Sequence, residues 1–188
     1  MRYLCHIDTR HDTRIKHSEE APMREINIGA QVFEDIRTHG DFYVDKSLFI
    51  KEWWENRDTV TLITRPRRFG KTLNMQMLDC FFSERYADRG EELFGDLAIW
   101  KEEKYRQLQG TYPVIFLSFA NVKKDTFADA REGIIGVIEN LFQGFRDQWA
   151  DDSLETKKRY AFMSLTKESS NTEISNSLHE LSSYLEFR

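Results

Sequence analysis

Cysteine is nearly absent: Cys5 and Cys80 are the only two, and neither sits in a CxxC pair. A disulfide framework and a zinc ribbon are thereby excluded, and the expected compartment is a reducing one, the cytoplasm. Long apolar runs are lacking too. None approaches the roughly 18 residues of a membrane span, and the N-terminus carries no apolar stretch of the secretory type. The expectation is a chain neither exported nor embedded. Positive charge is not in excess, with 27 Lys and Arg against 32 Asp and Glu and a net charge of −5. No overall basic field draws in nucleic acid, so any such contact must come from a local patch. No Ser/His/Asp or Cys/His arrangement can be assembled. Cys5, His6, His11 and His17 lack metal-ligand spacing, and His39 and His179 stand alone in the sequence.

What is present is apolar and aromatic material, 40% and 13% of the 188 residues, which suits one globular domain, or one and a fragment. Residues 1–22 are polar, without a period of 2 or 3.6, and read as a flexible arm preceding a domain over 23–188. Val32, Phe33 and Ile36 predict a short helix ending at Gly40. Phe42-Tyr43-Val44 is extended, and Asp45 caps a helix whose buried side carries Leu48, Phe49, Ile50, Trp53 and Trp54.

The β-branched run Thr59–Thr64 predicts a buried strand, Thr72–Phe82 a helix, and Val114–Phe119 a second strand. Two parallel strands joined through a helix predict an α/β fold, a P-loop NTPase-like parallel sheet with flanking helices. Between the strands lie a loop with Gly90 and Gly95 and a polar helix near Lys101–Leu108. Thr126 with Asp129 opens a long helix carrying Ile134, Ile138, Leu141, Phe145 and Trp149, with Gly133 and Gly136 allowing close packing. A further helix is expected over Leu154–Leu165, then a polar loop, and Ser170 with Glu173 cap a last helix with Ile174, Leu178, Leu181 and Leu185. The Trp53-Trp54 pair reads as core or interface in preference to a base-stacking platform.

The informative segment is Thr64-Arg65-Pro66-Arg67-Arg68-Phe69-Gly70-Lys71-Thr72. A phosphate-binding loop needs converging backbone N–H groups, a helix N-terminus behind them, a lysine for the β- and γ-phosphates and a hydroxyl for Mg²⁺. Gly70-Lys71-Thr72 supplies these. The Walker A pattern has glycine where Arg65 stands, and Pro66 has no N–H, so the cradle must come from Arg67, Arg68, Phe69, Gly70, Lys71 and Thr72. Two other readings stay open: a basic turn that merely solvates its charges, and a nucleic-acid backbone site built on Arg65, Arg67 and Arg68 with Phe69 as its stacking group.

Phe42-Tyr43-Val44-Asp45-Lys46-Ser47, Ile63–Leu73 with its Arg-Pro-Arg-Arg-Phe-Gly-Lys-Thr core, and Tyr112–Phe119 together resemble the N-terminal region of the bacterial AAA-ATPase-like family. The likeness runs from about residue 24 to the end. It implies a P-loop NTPase fold binding ATP with Mg²⁺. Lys71 would meet the β/γ-phosphates, Thr72 the metal, Gly70 would permit close backbone approach, and Arg65 in place of glycine would be a family trait. Asp45 and Lys46 match a family motif, with a helix-capping role for Asp45 as the alternative. Members typically carry a PD-(D/E)XK nuclease-like domain further along, which would make nucleic acid a partner of that domain.

A Walker B carboxylate after an apolar strand is not found: Val114–Phe119 runs into Ala120-Asn121, Asp125 lies too far on, Asp79 belongs on a helix and Asp96 follows a turn. In the resembled family it follows a helix like that over 173–185. The expectation is therefore an N-terminal piece that binds MgATP but hydrolyses it poorly, the complete protein being an ATPase. A non-catalytic interaction fragment is the remaining alternative.

Overall fold

A computed structural model describes residues 32–64, 66, 69–148 and 164–186. The arm over 1–22, the residues Cys5, His6, His11, His17, Arg65, Arg67, Arg68 and Trp149, and positions 154–163 of the expected helix lie outside them. The order is α1 (Phe33–His39), α2 (Leu48–Asn56), α3 (Lys71–Phe82), a 3-10 turn (Glu84–Arg89), α4 (Gly90–Phe94), a second 3-10 turn (Ala98–Lys101), α5 (Glu103–Arg106), α6 (Phe127–Gln148) and α7 (Asn171–Glu186).

The expected α/β fold is overturned, since no strand and no sheet occur among the described residues. The nearest approach is an isolated parallel bridge between Ser83 and Tyr112. Residues 59–64 form no strand, and Val60 and Leu62 are 84% and 81% exposed. Residues 113–119 form no strand and are mostly half-buried, without a ladder partner among the described residues. A strand must pass its N–H and C=O groups to a neighbour and cover its faces. Neither run has such a neighbour among the described residues, and the packing around α3 comes from helices and turns.

Helix α3 is the hub. Met77, Cys80 and Phe81 recur at i, i+3 and i+4, so one face buries completely. Against it pack Phe33, Ile50, Leu93, Phe94, Leu97, Ile99 and Tyr105 from the surrounding helices and turns. Full burial of each large side chain contributes about 1.5–3 kcal/mol. The rings meet edge-on, Phe33 with Tyr43 at 5.4 Å and 80°, Phe81 with Phe94 at 5.1 Å and 89°, the arrangement the ring quadrupole favours. Trp54 stacks on Phe82 at 5.4 Å and Trp53 leans on the same ring at 5.5 Å, so this pair is core material. Leu48, expected on the buried side of α2, is 44% exposed. Buried Cys80 has its thiol pushed up to about 12 by burial and then by neighbouring Asp79, which rules it out as a nucleophile near neutral pH.

The last carbonyls of α3 are satisfied from downstream: Gly110 donates to Phe81 at 2.8 Å and Tyr112 to Phe82 at 2.9 Å. Gly110 has φ +67, and a Cβ there would lie 2.3 Å from Ala87 Cα, so no other residue fits that crossing. The region expected as a loop around Gly90 and Gly95 is a chain of short helices instead. Arg37 ties α1 to it, donating from Nε to Leu93 O at 2.7 Å and pairing with Asp96.

The second apolar cluster joins α6 to α7 through Ile135, Ile138, Phe142, Phe145, Leu165 and Leu181. Both predicted caps are present: Thr126 Oγ1 accepts the Asp129 N–H at 3.1 Å, and Ser170 Oγ accepts that of Glu173 at 3.2 Å. Close packing holds at Gly133, where a Cβ would meet Val122 at 3.3 Å, but not at Gly136, which faces open space. Val114 packs against the first cluster and its neighbour Ile115 against the second. The segment expected as the second strand is therefore a seam between two helical clusters.

Candidate functional site

The predicted phosphate turn lies at the N-terminus of α3. Gly70 has φ +74 and ψ +20, the left-handed conformation that glycine adopts without steric cost, and α3 begins at Lys71. The first helical hydrogen bond runs from the Asn74 N–H to Gly70 O at 2.9 Å. The N–H groups of Lys71, Thr72 and Leu73 at the tip have no acceptor within the helix by construction. No acidic residue occupies the first turn, so the positive end of the helix dipole is left uncompensated by α3's own first turn. One turn further in, Asn74 carries a buried Oδ1 without a hydrogen-bond partner among the described residues.

Lys71 curls back over the turn, its Nζ donating to Pro66 O at 3.0 Å. That bond folds the ammonium back toward Pro66. Thr72 is exposed, as is Phe69 at 58%. Of the sequence-predicted site residues, the structure places Phe69, Gly70, Lys71 and Thr72 together; Arg67 and Arg68 lie outside the described residues. The backbone around Gly70 makes a direct prediction. A Cβ on Gly70 would meet nothing closer than 3.8 Å, so Gly70→Ala costs only its left-handed φ, about 1 kcal/mol. Urea denaturation should show that loss, and a loss of about 3 kcal/mol or more would mean a steric role instead.

The atom at 3.8 Å is Lys46 Nζ, a residue that sequence reasoning set in a motif without assigning it chemistry. Its segment is held at three points. Tyr43 OH donates to Met77 Sδ of α3 at 3.3 Å, and burial pushes that phenol up to about 12. Asp45 accepts the Ser47 N–H on Oδ1 and the Ala98 N–H on Oδ2, both at 2.8 Å. Desolvation raises the Asp45 carboxyl, but the hydrogen bonds from Ser47 and Ala98 outweigh it and leave the group below its ordinary value. The capping reading of Asp45 is corrected: the N-cap of α2 is Ser47, without a side-chain cap hydrogen bond, and Asp45 instead ties the start of α2 to Ala98 at the head of the second 3-10 turn. Ser47, fully buried, accepts the Ile99 N–H on Oγ at 3.1 Å. The usable signal was the triplet Asp45-Lys46-Ser47: two short polar residues able to accept backbone N–H groups, flanking one long cation.

Among the described residues no group of three or more His, Cys, Asp and Glu is placed to hold a metal ion, and no helix is long and apolar enough to cross a membrane. A family model described as Predicted AAA-ATPase matches residues 27–186. No curated protein and no solved structure matches the chain.

Proposed function

The chain belongs to the predicted AAA-ATPase family, and on that premise we propose that the turn ending in Gly70-Lys71-Thr72 grips the phosphates of ATP. The observation that carries the reading is the left-handed Gly70 opening an acid-free helix N-terminus beneath the folded-back ammonium of Lys71. Backbone N–H groups and a helix dipole converging on one point make an anion site, and a lysine adds a mobile point charge. When phosphate arrives, Lys71 exchanges the Pro66 carbonyl for a phosphate oxygen, a stronger acceptor because it is charged. Arg67 and Arg68, next along the chain, and exposed Phe69 complete the contact set in this reading.

Thr72 fits Mg²⁺ in one manner only. A hard cation that keeps most of its oxygen ligands as water and phosphate needs few from the protein, and the exposed Thr72 hydroxyl supplies one. Bound there, the ion neutralises phosphate charge. The protein's own part is to orient the phosphates with the N–H groups at the tip of α3 and with Lys71.

Calorimetric titration with ATP and with AMP tests the reading, because the recognised feature is the polyphosphate and not the adenosine. ATP should bind and AMP should bind more weakly. ATP should also displace any bound single-stranded oligonucleotide, as the same turn serves both. Absence of ATP binding, or an oligonucleotide complex indifferent to ATP, would overturn it.

A further inference from the structure

The fold brings a second ammonium to the Gly70 turn from a separate part of the chain. Lys46 lies more than twenty residues upstream, yet its Nζ stands 3.8 Å from where a Cβ on Gly70 would be. Its backbone is held, because Tyr43 is tied to α3 before it, Asp45 to Ala98 beside it, and buried Ser47 to Ile99 after it. Among the described residues no carboxylate pairs with the Lys46 side chain, and both oxygens of adjacent Asp45 already accept backbone N–H groups. Lys46 is itself exposed, so its charge stays hydrated.

Bringing this ammonium to the end of α3 adds positive charge where the helix dipole is already positive. Lys71 stands at that end as well, and the first turn of α3 holds no acidic residue to offset the dipole. Convergence of like charge of this kind is relieved by a multivalent anion. The glycine matters again here: without a side chain at position 70, nothing stands between the Lys46 ammonium and the turn. We propose that Lys46 is a second phosphate-binding lysine, which grips the polyphosphate of ATP together with Lys71, while Asp45 and Ser47 act as positioning residues that hold its backbone. The assignment rests on the ATP reading above and extends it to the Asp45-Lys46-Ser47 triplet, whose outer members set the geometry and whose middle member presents the charge.

The experiment compares the whole chain as wild type, Lys46→Ala, Lys46→Arg and, as a control for net charge, Lys124→Ala at another exposed lysine. Each is titrated with ATP and with AMP and melted in the absence of nucleotide. Lys46→Ala should weaken ATP about tenfold, the loss of one charged hydrogen bond, with AMP affinity and melting temperature unchanged. Lys46→Arg should recover most of the ATP affinity, and Lys124→Ala should match wild type. If wild type binds ATP and Lys46→Ala binds it equally well, the role of Lys46 falls while the ATP reading stands. An equal loss for ATP and AMP also overturns it, since polyphosphate would then not be what Lys46 recognises. If wild type binds no ATP, both fall together.

Discussion

Lys71→Ala is expected to weaken ATP binding about tenfold to a hundredfold, because it removes a charged hydrogen bond worth about 1.5–3 kcal/mol. The ammonium is the mobile part of the site, held over the turn by the Pro66 carbonyl at 3.0 Å. Deleting it removes a phosphate contact but leaves the N–H groups at the tip of α3 in place. Residual binding should therefore persist, in contrast to the abolition that unfolding would cause. The bond to Pro66 is partly exposed, so its loss should lower stability by about 1 kcal/mol at most. Overlapping ATP titration curves for variant and wild type would refute the assignment of Lys71. A collapse of thermal stability would show that the bond to Pro66 is structural first.

The second large effect concerns stability. Asp79 lies on α3 with its side chain 8% exposed, and both of its oxygens accept from Arg85 at 2.8 Å. Burial raises the Asp79 carboxyl, and the charge and hydrogen bonds of Arg85 only partly oppose the rise. Arg85→Ala removes that opposition and leaves a buried carboxylate alone, which costs about 3 kcal/mol. The figure sits at the low end of the range for such deletions because the Arg85 side chain is itself 42% exposed.

The pH dependence follows from the direction of the shift. A carboxyl whose folded pKa is raised binds its proton more tightly in the folded state. Its favourable contribution is full below the unfolded value and is lost as pH rises through the folded one. Without Arg85 the folded value climbs further, so the penalty should be largest near pH 7.5 and shrink toward pH 4, where Asp79 takes up a proton. Urea denaturation at both pH values checks this, and Asp79→Asn in the Arg85→Ala background should recover much of the loss at pH 7.5. A pH-independent loss below about 1 kcal/mol would make the pair an ordinary surface contact.

Local signals read from the sequence were reliable where the stabilising partner is itself local. The caps at Thr126 and Ser170, the stop at Gly40 and the start of α3 after Gly70 all lie within a few residues of the groups they serve. The strands failed for the opposite reason. Val60 and Leu62 are apolar and suited to β structure, yet such a preference creates no neighbour to pair with, and both side chains stand in solvent. Val114 and Ile115 are partly covered, one by each helical cluster. Apolarity announced burial there without saying that helices would provide it.

At the candidate site the division is the same. Gly70, Lys71 and Thr72 are contiguous, so their chemistry and their place at a helix start could be read from the chain alone. Lys46 could not be joined to them, because nothing between positions 46 and 70 encodes their proximity. It arises when Tyr43 meets Met77, Asp45 meets Ala98 and Ser47 meets Ile99. Residue order settles which groups are available and how each short segment turns. Which segments become neighbours is set by burial and hydrogen bonding summed over the whole chain, and those choices made a helical body around α3 and put the second ammonium beside its first turn.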